Sequence, residues 1–249
     1  MADWVSWREP RRDPEVRLFC FPYAGGAATI FRGWSALFPE SIEVVPVELP
    51  GHGRRFGEAP IADWGPLVAG LAAGLAPLMD RRFAFFGHSM GGRIAFELAC
   101  ERRRRGATLP VGLFLSASNA PQCPRERPLR RDMSRAELVD ELRLIGGTPE
   151  EILRSDELLD LFLPAVRADF ALVDEYRPAP EDKLAIPFVL FAGLRDREAP
   201  PPNVEAWAEH TTEPVVRHTF DAPHIFLGAE QRALAAAIEA ALRGWGAAR

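Results

Sequence analysis

Lysine is almost missing from this chain: Lys183 is the only one among 30 basic residues, so positive charge sits on arginine. That bias suits bidentate recognition of anions, and it equally fits an arginine-rich genome. Cysteine is scarce too. Cys20, Cys100 and Cys123 are odd in number, scattered and without a C-x-x-C spacing, which argues against a disulfide framework and a zinc site. No segment approaches the roughly 18 consecutive apolar residues of a membrane helix, and Met1 to Asp13 carry charge where a secretory signal would be apolar. Basic excess is lacking as well: 35 acidic residues against 30 basic ones leave a net charge of −5, unlike the footprint of a nucleic-acid binder. These absences predict a cytoplasmic protein with no membrane or nucleic-acid partner and no metal or redox cofactor.

What is present is an ordinary core-forming composition, 249 residues with 47% hydrophobic and 26% charged. A chain of that size buries roughly three quarters of its unfolded surface as one domain. Apolar, β-rich runs fall at Val16–Phe21, Ile42–Val47, Phe83–Phe86, Val111–Leu115, Phe188–Phe191 and Val215–Phe220, most of them separated by helix-like stretches. This alternation predicts an α/β fold, a doubly wound, mostly parallel sheet with ligands at the carboxyl ends of the strands.

Residues 121–180 interrupt the alternation, dividing the core into 1–120 and 181–249. An arginine- and proline-rich loop is followed by helix starts at Ser134-Arg135-Ala136-Glu137, a capping box, and at Thr148-Pro149-Glu150-Glu151, a second box with proline in the first helical position. A third start lies at Ser155, and Pro164 is expected to kink or end that helix, leaving Ala165–Tyr176 as a separate arm. Such an insertion reads as a helical lid over the active-site edge. Leu158, Leu159, Leu161, Phe162, Leu163 and Phe170 exceed what one helix face needs, so they are either core or the lining of an acyl pocket.

The strongest chemical signal is Gly87-His88-Ser89-Met90-Gly91, placed directly between a strand and the helix expected at Gly92–Arg105. A serine on such a strained strand-to-helix turn stands clear of the sheet, and the Met90 amide faces developing negative charge. Its hydroxyl needs a base. His88 lies inside the turn, His52 in an early glycine loop, His210 in a helix-like stretch and His218 in a strand, which leaves His224 in the loop after the last strand. The carboxylate that orients the base is expected to follow the nucleophile in the chain. Asp196, just past the strand ending at Phe191, fits better than Asp221, which neighbours His224 in sequence, and Ser116–Asn119 offers no acid. For a second oxyanion donor the loop Phe21-Pro22-Tyr23-Ala24-Gly25-Gly26 supplies the Ala24 amide, with Tyr23 as the alternative.

Together with Glu48-Leu49-Pro50-Gly51-His52-Gly53-Arg54, Gly146-Gly147-Thr148-Pro149 and Leu163-Pro164-Ala165-Val166-Arg167-Ala168-Asp169-Phe170, these motifs occur in the order of the type II thioesterases. The sequence resembles that family of α/β-hydrolases over nearly its whole length. The resemblance implies a stand-alone serine thioesterase of polyketide or nonribosomal peptide pathways, hydrolysing stalled acyl groups from the phosphopantetheine arm of an acyl or peptidyl carrier protein, as a monomer. Two departures are Pro223 and Ile225 around His224, where the family usually has glycine and phenylalanine, and Arg197 where a proline commonly follows the acid.

A general carboxylesterase or lipase would use the same triad, and a noncatalytic carrier-binding module would use the same fold. Arg102–Arg105 read as a helix end, where cations complement the dipole. Arg125, Arg127, Arg130, Arg131 and Arg135 stand at the entrance to the lid, either as solvated loop or as contacts for an acidic carrier.

Overall fold

The computed structural model describes residues 4–5, 7–123, 129–177 and 183–247. Six strands form one sheet: β1 (Val16–Phe21), β2 (Ile42–Pro46), β3 (Phe83–His88), β4 (Leu113–Ser116), β5 (Phe188–Gly193) and β6 (Val215–Phe220). Their order is β2-β1-β3-β4-β5-β6 and every neighbouring pair is parallel. All six runs expected from the sequence are strands of this doubly wound α/β-hydrolase sheet. Consecutive residues alternate between its faces. Phe19 and Phe21 pack on one side with Leu67, Leu71 and Leu75 of α1 (Trp64–Leu75) and Ile94 and Leu98 of α2 (Met90–Arg104). Leu18 and Cys20 pack on the other with Phe31, Trp34 and Leu234, Ile238 and Leu242, the last three from the C-terminal helix.

Chain order reverses at β1: β2 lies on one side of it and β3 on the other. The loops leaving the carboxyl ends of β1 and β3 therefore diverge and open a crevice, as at the switch point of any doubly wound sheet. Both the Phe21–Gly26 loop and the turn around Ser89 border it.

Between β4 and β5 lie α3 (Arg135–Ile145), α4 (Glu150–Arg154) and α5 (Asp156–Glu175). The Ser134 capping box is formed, with Glu137 N–H donating to Ser134 Oγ and Ser134 N–H to the Glu137 carboxylate. Ser155 caps α5 through Leu158 N–H. Two expectations fail here. Pro149 is the residue before α4 rather than its first, and Thr148 makes no capping bond. More significantly, α5 continues through Pro164 as one helix, so Ala165–Tyr176 is no separate arm. A proline costs a helix about 3 kcal/mol and one hydrogen bond. Burial of Leu159, Leu163, Val166 and Phe170 against Leu138, Leu142 and Leu153 spans both sides of the proline and offsets it. Beyond β5 come α6 (Pro201–Glu205) and α7 (Gln231–Ala247). Among the described residues no helix is long and apolar enough to cross a membrane.

Candidate active site

Strand β3 delivers Ser89 directly into α2, which begins at Met90, two residues earlier than the sequence pattern suggests. Ser89 sits at φ 55°, ψ −115°, a conformation that strains any residue with a side chain. Close packing holds it there. A Cβ at Gly87 would stand 2.0 Å from the Gly91 carbonyl oxygen, and one at Gly91 would stand 2.2 Å from the Phe21 carbonyl oxygen. The Ser89 amide is anchored sideways, donating to the Ser116 carbonyl at 2.8 Å.

His224, in the loop after β6, places Nε2 3.0 Å from Ser89 Oγ. Its Nδ1 lies 2.8 Å from Asp196 Oδ2. The other oxygen of Asp196 accepts the amides of Glu198 at 2.8 Å and Ala199 at 2.9 Å. Burial opposes ionisation of Asp196, but the His224 bond, the imidazole's charge and these two amides outweigh it and bring the pKa below that of a free aspartate. The result is a fixed anion under a base that faces a hydroxyl. Asp221 stands outside this row, its exposed carboxylate paired with Arg195 at 2.8 Å.

Met90 and Ala24, the residues expected to offer amides to an oxyanion, line the same small pocket as Ser89 and His224, together with Tyr23, Leu142, Ile145, Gly146, Phe170 and Ile225. Residues of α3 and α5 thus border the pocket that holds Ser89. Of the apolar surplus expected in this segment, Leu159, Leu163 and Phe170 are core, whereas Leu158, Leu161 and Phe162 line a neighbouring cleft of about 540 Å³ with Tyr23, Phe56 and Ile152.

His88 has a role that the sequence reading missed. Fully buried beneath the site, it places Nε2 2.9 Å from the backbone carbonyl of His224 and Nδ1 3.0 Å from Ser116 Oγ. Burial and the nearby His224 ring lower its pKa to about 3, so it is neutral, donating from Nε2 and accepting the serine proton at Nδ1. Its position inside the nucleophile turn was the available signal. Of the remaining histidines, His210 contacts Gln122 and His218 stacks on Phe191.

The arginines divide differently from the expectation. Arg130 is no surface contact: its side chain is buried, 3.1 Å from Glu141, also paired with Glu198 of the acid loop, and stacked over Phe170. A chain crossing from β4 to the helices needs an anchor beside the site, and this guanidinium serves two carboxylates there. Arg135 bridges Asp156 and Asp160 at the surface. Arg125 and Arg127 fall outside the described residues, as does the Arg131 side chain. At the end of α2, Arg102 is buried over Phe83, and Arg104 and Arg105 pair with Glu101. No group of three or more histidines, cysteines or acids among the described residues is placed to hold a metal ion.

Comparison with known proteins shows the family. A thioesterase-domain family model matches residues 16–242. Thioesterase PikA5 of Streptomyces venezuelae is 36% identical over 90% of this chain and 80% of its own. The structure of RedJ, a thioesterase from the prodiginine pathway of Streptomyces coelicolor, is 36% identical, covers 93% of this chain and 94% of its own, and superposes with a TM-score of 0.86. BorB, described as a type II thioesterase from the borrelidin cluster, is 34% identical, covering 93% of this chain and 96% of its own with a TM-score of 0.83. The chain belongs to the thioesterase family and, within it, to the type II thioesterases.

Proposed function

We propose that the protein hydrolyses acyl groups from the phosphopantetheine arm of acyl or peptidyl carrier proteins in a polyketide or nonribosomal peptide pathway. Ser89 is the nucleophile, His224 the base and Asp196 its orienting acid; the Met90 and Ala24 amides receive the oxyanion. The observation that carries this reading is the unbroken row from Ser89 Oγ through His224 to Asp196, with separations of 3.0 Å and 2.8 Å. The pathway assignment is supported by the similarity to YbtT, a type II thioesterase from the yersiniabactin nonribosomal peptide and polyketide pathway.

In the first half-reaction Ser89 Oγ bonds to the thioester carbon while its proton passes to His224 Nε2. The carbonyl electrons move onto oxygen, where the two amides stabilise them. Collapse breaks the carbon–sulfur bond, and His224 returns the proton to the departing thiol. Water then attacks the acyl-serine, again losing its proton to His224, and the free acid leaves as Ser89 recovers its hydrogen. No step calls on a second copy of the chain, and the reading is of a monomer. Residues 121–180 act as the lid, with α3 and α5 over the nucleophile.

A panel of acyl groups loaded on carrier proteins tests this. Ser89→Ala should lower kcat by about a millionfold, the scale of a lost triad nucleophile, with carrier binding retained. Near-normal turnover by the folded variant would remove the serine from the mechanism. Equal efficiency with simple esters and carrier-bound thioesters would instead favour a general esterase.

A further inference from the structure

Two of the motifs, around His52 and around Asp169, have no part in the steps above, although they lie 117 residues apart and meet in the interior. His52 Nε2 is 2.9 Å from Asp169 Oδ2, and both side chains are buried, 4% and 2% exposed. His52 Nδ1 is 3.0 Å from the Pro50 carbonyl oxygen. Both ring nitrogens therefore face acceptors, and the ring satisfies both only as a cation with two N–H donors. The same Oδ2 accepts the Gly25 amide at 2.7 Å.

Gly25 follows Ala24, the oxyanion donor. Its N–H belongs to the Ala24–Gly25 peptide plane, so pinning that plane leaves only the φ and ψ of Ala24 between it and the donor plane. The rest of the loop is similarly tied: Gly26 N–H returns to the Tyr23 carbonyl at 2.8 Å, and the Glu48 carboxylate behind it accepts Ala28 N–H at 2.8 Å. Gly25 has a left-handed φ of +76°, and a Cβ there would stand 3.1 Å from Phe162 and 3.3 Å from Val166, both on the helix that carries Asp169.

We infer that Asp169 and His52 are positioning residues of the oxyanion hole: the carboxylate on α5 fixes the Gly25 amide and so aims the Ala24 N–H, while the imidazolium holds that carboxylate in place. A buried carboxylate without a cation would be costly, and charge-assisted bonds to an amide are about twice as strong as neutral ones. Burial lowers the His52 pKa, but Asp169, the Pro50 carbonyl and Glu48 raise it to about 9, in keeping with the cationic ring. The inference rests on the Ser89 and Ala24 reading given above.

Asp169→Asn and His52→Gln test it, assayed on a short acyl thioester with active sites counted by exhaustive fluorophosphonate labelling of Ser89. Complete loss of an oxyanion donor costs about 10²–10³ in kcat. Misaiming one by Asp169→Asn should therefore lower kcat per labelled site about 30-fold, with KM within about twofold. Affinity for a trifluoromethyl ketone thioether, whose adduct with serine carries an oxyanion, should fall in step with kcat/KM, while affinity for the product acid stays constant. Unchanged kcat per labelled site, or equal losses for the ketone and the acid, overturns the inference. Should Asp169→Asn not fold, His52→Gln decides alone, since it keeps the carboxylate–amide bond. A several-fold loss of kcat at constant KM supports the inference and an unchanged kcat refutes it. Failure of the underlying serine reading shows separately, as absence of fluorophosphonate labelling in the unaltered protein.

Discussion

Strands β1, β3 and β5 meet their helices through fully buried side chains such as Phe19, Phe85, Phe96 and Phe188, whereas the segment from Arg130 to Tyr176 adds to apolar contacts such as Leu172 a set of discrete polar ones. Besides its own apolar cluster, that segment is joined by Arg130 to Glu198, by Asp169 to His52 and Gly25, by the Leu172 carbonyl to Trp64 Nε1 at 2.8 Å and by the Gly147 carbonyl to Tyr23 at 3.3 Å. Hydrophobic burial is non-directional and absorbs small shifts. Hydrogen bonds and ion pairs fix direction and are lost one at a time. Ser89 thus leaves a sheet packed on both faces by apolar side chains, and the helices beyond it meet the neighbouring loops at polar contacts that single substitutions can remove.

The sharpest test of this division concerns the acid. Asp196→Asn should lower kcat about 10⁴-fold by leaving His224 in the wrong tautomer, with little change in unfolding midpoint, while Asp221→Asn stays within about twofold. Equal losses in steady-state turnover would move the acid to Asp221. Next in size is Arg130→Ala, which removes the buried guanidinium that Glu141 and Glu198 share. Unfolding in urea should register about 3 kcal/mol of destabilisation, the low end for breaking a buried pair. A loss below about 0.5 kcal/mol would class Arg130 with exposed pairs and erase the contrast between the regions. The smallest effect belongs to the cleft beside Phe162. If the acyl chain lies there, Phe162→Ala should reduce the preference for an eight-carbon over a four-carbon acyl group by about threefold in kcat/KM, since each buried methylene is worth about 0.8 kcal/mol. An unchanged ratio would put the chain elsewhere.

Much of the fold was legible because its signals are local. Apolar, β-rich runs mark all six strands, and the small residues flanking Ser89 mark the turn that presents it. Ser89, His224 and Asp196, singled out for separate chemical reasons, stand in one hydrogen-bonded row. What sequence reasoning missed depends on tertiary contacts. Pro164 looks like a helix end until the buried leucines on both sides of it are known. Arg130 looks like part of a solvated basic cluster because Glu141 and Glu198, its partners, are remote in the chain. His52 and Asp169 are each unremarkable alone and become a pair only when α5 closes over the glycine loop.

Gly91 behaves as a shim between the two halves of the proposed oxyanion cradle. Its missing side chain lets the start of α2, with the Met90 amide, seat directly on the end of β1, from which the Ala24 loop departs; any Cβ there would press on the Phe21 carbonyl oxygen at 2.2 Å. One added methyl would wedge helix and strand apart by about an ångström, shifting the two amides relative to one another together with the turn that presents Ser89. Misplacement of about that size can cost 10²-fold in rate, so the gauge of the cradle is set by an atom that is not there.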